Sequence, residues 1–321
     1  MKQVDVFNGD ADGICALHQL RLADPKESEL VTGVKRDIQL LQRVEAGAGD
    51  KVTVCDISLD SNRVALQWLL AAGAEVHYFD HHFAGALPAV GHLQAHIDTA
   101  ANVCTSLIVD RHLGGRFRPW AIVAAFGDGL REVGRRLASD TGFDAAQTQT
   151  LARLGECLNY NAYGETVDDL WFHPEVLYRS LRDYEDPLAF AKDSRIFARL
   201  YVGYCEDMDR AQALQPHVER TNGAIYVMPD APWARRVIGV YANQLAQSQP
   251  HRAHAMLSAN ASGSYTVSVR APLSRPQGAD GLCRLFANGG GRKAAAGING
   301  LPAEEVSRFV ASFFEAFSEP G

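Results

Sequence analysis

Short β-like apolar runs at residues 4–7, 52–55 and 76–79 each end one to three positions before an acidic residue, and amphipathic helical stretches at 14–20 and 64–70 alternate with them. Strand, helix, strand alternation of this kind predicts an α/β fold with a parallel sheet covered on both faces. Such sheets bind ligands outside the carboxyl ends of their strands. Asp10 and Asp12 follow the first run, Asp56 the second and Asp80-His81-His82 the third. All are therefore expected at one sheet edge. Asp60 or Ser61 is expected to cap the second helix and Gly73 to end it.

At 321 residues the chain exceeds one ordinary core, so two domains are expected. The larger spans 1–206, a linker covers 207–222, and a smaller α/β domain spans 223–321. Helical spacing at 133–137, 151–158 and 187–202 makes the later part of the first domain a helical connector, with a polar, aromatic loop at 159–171. In the second domain, strands are expected at 224–228, 252–257 and 265–270, and helices at 237–245, 281–286 and 304–317.

The six cysteines are scattered without a CxxC pair, which excludes a thiolate zinc site or a disulfide framework and makes them buried small hydrophobes. No apolar stretch approaches the ~20 residues that span a bilayer. The start Met-Lys-Gln-Val-Asp-Val also has no signal-peptide core, so the chain reads as cytoplasmic with no membrane partner. A net charge of −7 opposes a non-specific grip on long nucleic acid and favours a small anion held by a few local cations.

Asn8-Gly9-Asp10-Ala11-Asp12-Gly13 places two carboxylates on a glycine-flanked turn. Taken alone, the motif is a helix cap or Asx-turn. Asp56 alone is also a cap, and His81 and His82 alone are surface polar groups. Together, Asp10, Asp12, Asp56, Asp80 and two imidazoles at one edge repel one another severely unless divalent cations are present. Carboxylate and imidazole without thiolate suits Mn²⁺. Asp128, in Ala124-Ala125-Phe126-Gly127-Asp128-Gly129, either caps the next helix or completes a metal shell, and the metal reading is taken. Gly289-Gly290-Gly291-Arg292-Lys293 is either a flexible loop or, with a helix starting at Ala294, an anion cradle of backbone amides and a guanidinium. Arg270, ending the strand 266–269, is either a surface residue or a second cation for that anion.

These motifs, in this order, resemble the DHH phosphoesterase superfamily in its form with a DHH-associated C-terminal domain, which includes RecJ-type exonucleases and nanoRNases. The resemblance rests on DADG at Asp10 to Gly13, Asp56, Asp80-His81-His82, Asp128, the SxR of Ser268 to Arg270, and the GGGxxxAAG of Gly289 to Gly297. It implies a larger DHH domain, a helical connector and a smaller DHH-associated domain. It also implies two Mn²⁺ ions, with Mg²⁺ or Co²⁺ as alternatives: Asp10 on the first, Asp12, His81 and Asp128 on the second, and Asp56 bridging. His82 would support the site or contact the scissile phosphate, and Arg270, Gly289, Gly290, Gly291 and Arg292 would hold the substrate. Two positions depart from the family pattern: Val6 and Asn8 stand where relatives carry a His or a further Asp, and Arg292 stands where relatives carry a His.

The function that follows is manganese-dependent hydrolysis of short oligonucleotides or linear dinucleotides to nucleoside monophosphates, with Asp56, His81 and His82 catalytic. Alternatives are a phosphatase of small nucleotides such as 3′-phosphoadenosine 5′-phosphate, a RecJ-like single-strand exonuclease, or a catalytically weak nucleotide-binding regulator. The expected partners are a short oligonucleotide or nucleotide and, as an open alternative, a second copy of the chain as a homodimer.

Overall fold

A computed structural model of the protein describes residues 1–318. They divide into two compact units, Met1–Gly203 and the described residues from Tyr204 onward. The first unit opens with β1 (Gln3–Asn8), α1 (Ala11–Ala23), β2 (Glu29–Gly33), β3 (Lys51–Cys55), α2 (Arg63–Ala71), β4 (Glu75–Asp80) and β5 (Leu93–Ile97). It continues with α3 (Thr105–His112), α4 (Arg118–Gly127), α5 (Arg131–Thr141), α6 (Ala145–Asn161), α7 (Pro174–Leu181), α8 (Pro187–Asp193) and the start of α9 (Arg195–Gln212).

The five strands pair in the order β2-β1-β3-β4-β5, all parallel. The interior strands β1, β3 and β4 are buried along most of their length because both their faces are covered. Val4, Val6, Val52, Val54 and Tyr78 pack with Leu66 and Leu69 of α2 on one side. On the other side lies α1, itself in contact with α3 and α4. Helix α4 is buried from Trp120 through Gly127 and packs on α1, α3, α5 and α6, which is why its sequence is a continuous apolar run without an amphipathic stripe. Strand order reverses between β1 and β3, the switch point at which open α/β sheets form a crevice at their carboxyl ends.

The second unit takes up the remainder of α9, then β6 (Val218–Arg220), β7 (Gly223–Met228), α10 (Pro232–Ser248), β8 (Ala253–Ala259), β9 (Tyr265–Arg270), α11 (Ala279–Cys283), β10 (Gly289–Gly291), β11 (Ala295–Leu301) and α12 (Val306–Ala316). Its sheet runs β10-β11-β9-β8-β7-β6 and is antiparallel except for the β7–β8 pair. Ile225, Leu257, Val267, Ile298, Phe309 and Phe313 form its core. The α/β class, the parallel sheet of the first unit and a smaller α/β second unit agree with the sequence reading.

Local expectations need correction in places. Residues 207–222, read as linker, contain the last turns of α9 and strand β6. The single helix expected at 187–202 is two, broken at Ser194, whose hydroxyl accepts from Phe197 N at 3.2 Å and so caps α9. Neither Asp60 nor Ser61 caps α2; both lie in a 3₁₀ turn before it, and Asn62 holds the cap position. Gly73, at φ +86°, does supply the left-handed residue just beyond that helix. The expected helix after the triple glycine is instead strand β11, paired with β10 and β9. Among the described residues no cysteine forms a disulfide, and Cys205 alone is not fully buried. Among the described residues no helix is long and apolar enough to cross a membrane.

Candidate metal centre

The carboxyl edge of the parallel sheet gathers six residues singled out from the sequence: Asp10, Asp12, Asp56, His81, His82 and Asp128. Asp10 caps α1, its Oδ1 accepting from Asp12 N at 3.0 Å and Gly13 N at 3.1 Å. Gly13 is required there, because a Cβ would lie 2.2 Å from the carbonyl oxygen of Asn8. Asp12 lies in the first turn of α1 and reaches α3, where Thr105 N and Ser106 N each donate to one of its oxygens at 2.7 Å. First-turn amides favour a carboxylate for the same reason that helix N-termini bind anions.

Asp56 follows β3 directly and adopts φ +61°. A non-glycine residue held there costs on the order of 1–3 kcal/mol, which marks a backbone kept in place by its surroundings. Its N–H donates to the carbonyl of Phe79 at 3.0 Å, and Thr105 Oγ1 donates to its Oδ1 at 3.1 Å. Asp128 sits at the C-cap of α4. That helix comes close because Gly127 packs on α1 and α6: a Cβ on Gly127 would meet Ala11 Cβ at 2.4 Å and Gly155 O at 2.8 Å.

The two histidines are held in different ways. His81 Nδ1 lies 3.0 Å from the carbonyl oxygen of Val103, and a carbonyl only accepts, so Nδ1 carries the proton and Nε2 faces the site. That Nε2 is 3.4 Å from Asp56 Oδ1. A bare imidazole nitrogen and a carboxylate at this separation are reconciled by a cation or a proton. His82 is tied through Nδ1 to Asp80 Oδ1 at 2.7 Å, leaving Nε2 available. Asp80 is fully buried and also accepts from His81 N at 2.9 Å, so this acid orients the histidine pair.

Lys35, two residues beyond β2, is the member of the site that sequence reasoning missed. Its ammonium is in contact with Asp10 Oδ2, 3.1 Å from Asn159 Oδ1 and 3.8 Å from Asp128 Oδ1, with the Tyr163 ring centroid 5.8 Å away. The signal available was a lysine just past a short run, Leu30-Val31-Thr32, that forms another strand of the same sheet.

Burial, reinforced by Asp12, Asp10 and Asp128, pushes the Asp56 carboxyl well above the ordinary range, against the pull of Lys35. Burial also raises Asp128, with Lys35 opposing. For Asp10 burial acts upward too, but the Lys35 ammonium outweighs it and the carboxyl is held low. Burial disfavours a charged His82, yet the bond to Asp80 wins and its pKa is raised. The edge is thus an excess of buried negative charge with one permanent cation.

Asp56, His81 and His82 each present a ligand atom within 4.8 Å of the others, a mixed carboxylate and imidazole set that fits a first-row divalent ion such as Mn²⁺. The residues read as substrate-binding lie in the second unit. Arg270 ends β9, with Nε bonded to Asn243 Oδ1 at 2.6 Å and Nη1 to Ser268 Oγ at 3.0 Å. Gly289, Gly290 and Gly291 form β10, and Arg292 is exposed in the tight turn closed by Arg292 N to Ala295 O at 2.8 Å.

No protein-family model and no curated protein matches the sequence. Solved structures do. The manganese-bound exonuclease RecJ aligns over 99% of this chain and 91% of its own at 18% identity, with a TM-score of 0.62. A DHH domain described as a member of the S1p family of ribosomal proteins aligns over 98% and 86% at 11% identity, TM-score 0.61. The pGpG-specific phosphodiesterase PggH from Vibrio cholerae aligns over 98% and 99% at 15% identity, TM-score 0.56. At these identities the shared property is the fold, and it extends along the whole chain.

Proposed function

We propose that this chain, which carries the DHH phosphoesterase fold, is a metal-dependent phosphodiesterase acting on short oligonucleotides or linear dinucleotides and releasing nucleoside monophosphates. The observation that carries this reading is His81 Nε2 facing the buried Asp56 carboxylate at 3.4 Å, with His82 alongside, at the switch point of a parallel sheet. Asp56, His81 and His82 would hold a divalent ion, with Mn²⁺ the first candidate. When bound, such an ion polarises a phosphoryl oxygen and lowers the pKa of water toward neutrality.

The chain's own groups do the rest. The Val103 carbonyl fixes the His81 tautomer, and the Asp80 carboxylate, bonded to His82 Nδ1, fixes the orientation of that ring and leaves its Nε2 for the ion. Lys35 offsets the charge of Asp10 and Asp128. Arg270, Arg292 and the backbone of β10 are assigned to anion binding in the second unit, where guanidinium and glycine amides suit a phosphate. The net charge of −7 favours short substrates over long strands.

The test is hydrolysis of pGpG, a five-nucleotide RNA, a long single strand and 3′-phosphoadenosine 5′-phosphate, with Mn²⁺ and with chelator. Metal-dependent release of mononucleotides from the two short diesters, lost in His81→Ala, is the expected result. Tight nucleotide binding without turnover at saturating Mn²⁺ overturns it in favour of a regulator, and preference for the bisphosphonucleotide overturns the diester assignment.

A further inference from the structure

The carboxylate oxygens of Asp10 and Asp12 already accept hydrogen bonds from the chain itself. Asp10 Oδ1 receives two backbone amides of α1, and its Oδ2 receives the Lys35 ammonium. Both oxygens of Asp12 receive amides of α3. Asp128 Oδ1 lies 3.8 Å from the same ammonium. Lys35 has as many polar neighbours as it has N–H donors: Asp10, Asn159 and Asp128. Its backbone is pinned as well. Lys35 N donates to the carbonyl of Ala162 at 2.9 Å, and the Asn8 side chain donates to the Lys35 carbonyl at 3.2 Å. Asn8, a neutral amide at the end of β1, thus serves to place a lysine. Among the described residues a single cluster, Asp56 with His81 and His82, presents three ligand atoms in mutual range.

We infer that the centre binds one divalent ion, at Asp56, His81 and His82, and that the Lys35 ammonium supplies the second positive charge, on the Asp10 and Asp128 side, where a second ion would otherwise sit. The inference rests on the metal-dependent reading proposed above. An ammonium is a fixed monovalent charge that neither exchanges with solvent nor polarises water as a dication does. Lys35 therefore acts as a positioning and charge-balancing residue.

The full chain, stripped with chelator and titrated with MnCl₂, should bind one ion by calorimetry and by elemental analysis after desalting. The bound ion should show the resolved hyperfine multiplet of an isolated Mn²⁺ in electron paramagnetic resonance. Lys35→Met should bind a second equivalent and show the broadened, exchange-coupled signal of a Mn²⁺ pair, while Lys35→Arg should stay at one. Two coupled ions in the wild-type chain overturn the inference and leave the phosphodiesterase reading standing. No bound ion overturns both. One ion in a Lys35→Met chain with native circular dichroism shows that Lys35 is not what keeps a second ion out, and also overturns it. The wild-type stoichiometry is decisive even if the variant does not fold.

Discussion

Replacing Asp56 by Asn should make the metal-free protein more stable while removing its response to metal. Asp56 is buried, and the carboxylates of Asp10, Asp12 and Asp128 raise its pKa against the single opposing cation Lys35. At an effective dielectric near 20, a pair of like charges costs about 4 kcal/mol at 4 Å and about 2 kcal/mol at 8 Å. Deleting one charge from a set with two uncompensated like neighbours therefore relieves on the order of 2–4 kcal/mol. Little is lost in exchange. Asn is among the non-glycine residues most tolerant of the left-handed backbone that Asp56 adopts at φ +61°, and its amide oxygen can still accept from Thr105 Oγ1. For a unit of this size each kcal/mol moves the melting midpoint by about 2–4 °C, so the Asp56→Asn variant should melt roughly 5–10 °C higher in chelator at pH 8. The wild type should gain about 2.7 kcal/mol at a Mn²⁺ concentration about 100 times its Kd, and the variant almost nothing.

The pH dependence carries the same sign. The native state binds the Asp56 proton more tightly than the unfolded chain does. Metal-free wild type should therefore lose stability as pH rises from the ordinary carboxylate range, about 4, to the raised native pKa, and the variant should lack that slope. Melting curves by differential scanning calorimetry, with and without Mn²⁺, measure both effects. A variant that melts lower than wild type in chelator would refute the electrostatic account and make Asp56 a structural residue.

Asp80→Asn should lower the His82 titration midpoint seen by NMR, since Asp80 is what overcomes burial; the stabilisation from that pair should be complete below the unfolded histidine value, about 6.5, and vanish as pH passes the native midpoint. Gly127→Ala forces a Cβ to within 2.4 Å of Ala11 Cβ and should cost about 1–3 kcal/mol in urea unfolding. Arg292→Ala should raise KM for a short diester several-fold with little change in kcat, and an unchanged KM would remove Arg292 from substrate binding.

The parts of the fold legible in sequence were those written in local pattern. Apolar runs ending on Asp10, Asp56 and Asp80 announced parallel strands whose carboxyl ends share an edge, and the structure places those residues there. Asp128 was read as an acid after an apolar run, but that run is the buried helix α4, not a strand, because a fully buried helix loses the amphipathic spacing that would identify it. Lys35 escaped notice because its role depends on three partners from distant segments, Asp10, Asn159 and Asp128, and no local spacing records them. The triple glycine looked like a loop because glycine carries no strand preference. Pairing with β11 imposes the strand, and a Cβ on Gly289 would lie 1.9 Å from the Cys283 carbonyl oxygen.

The capping work of Asp10 and Asp12 bears on how such a chain would evolve. Uncapping a helix costs about 1 kcal/mol, so a descendant that no longer hydrolysed anything would still be held to both aspartates by folding alone. Asp56 has the opposite standing: once hydrolysis is dispensable, drift to Asn is favoured by stability. On the hydrolase reading proposed above, an intact DADG in a chain of this fold would therefore be kept by folding alone, whereas the residue just after the third strand would separate chains that hold a metal from chains that do not.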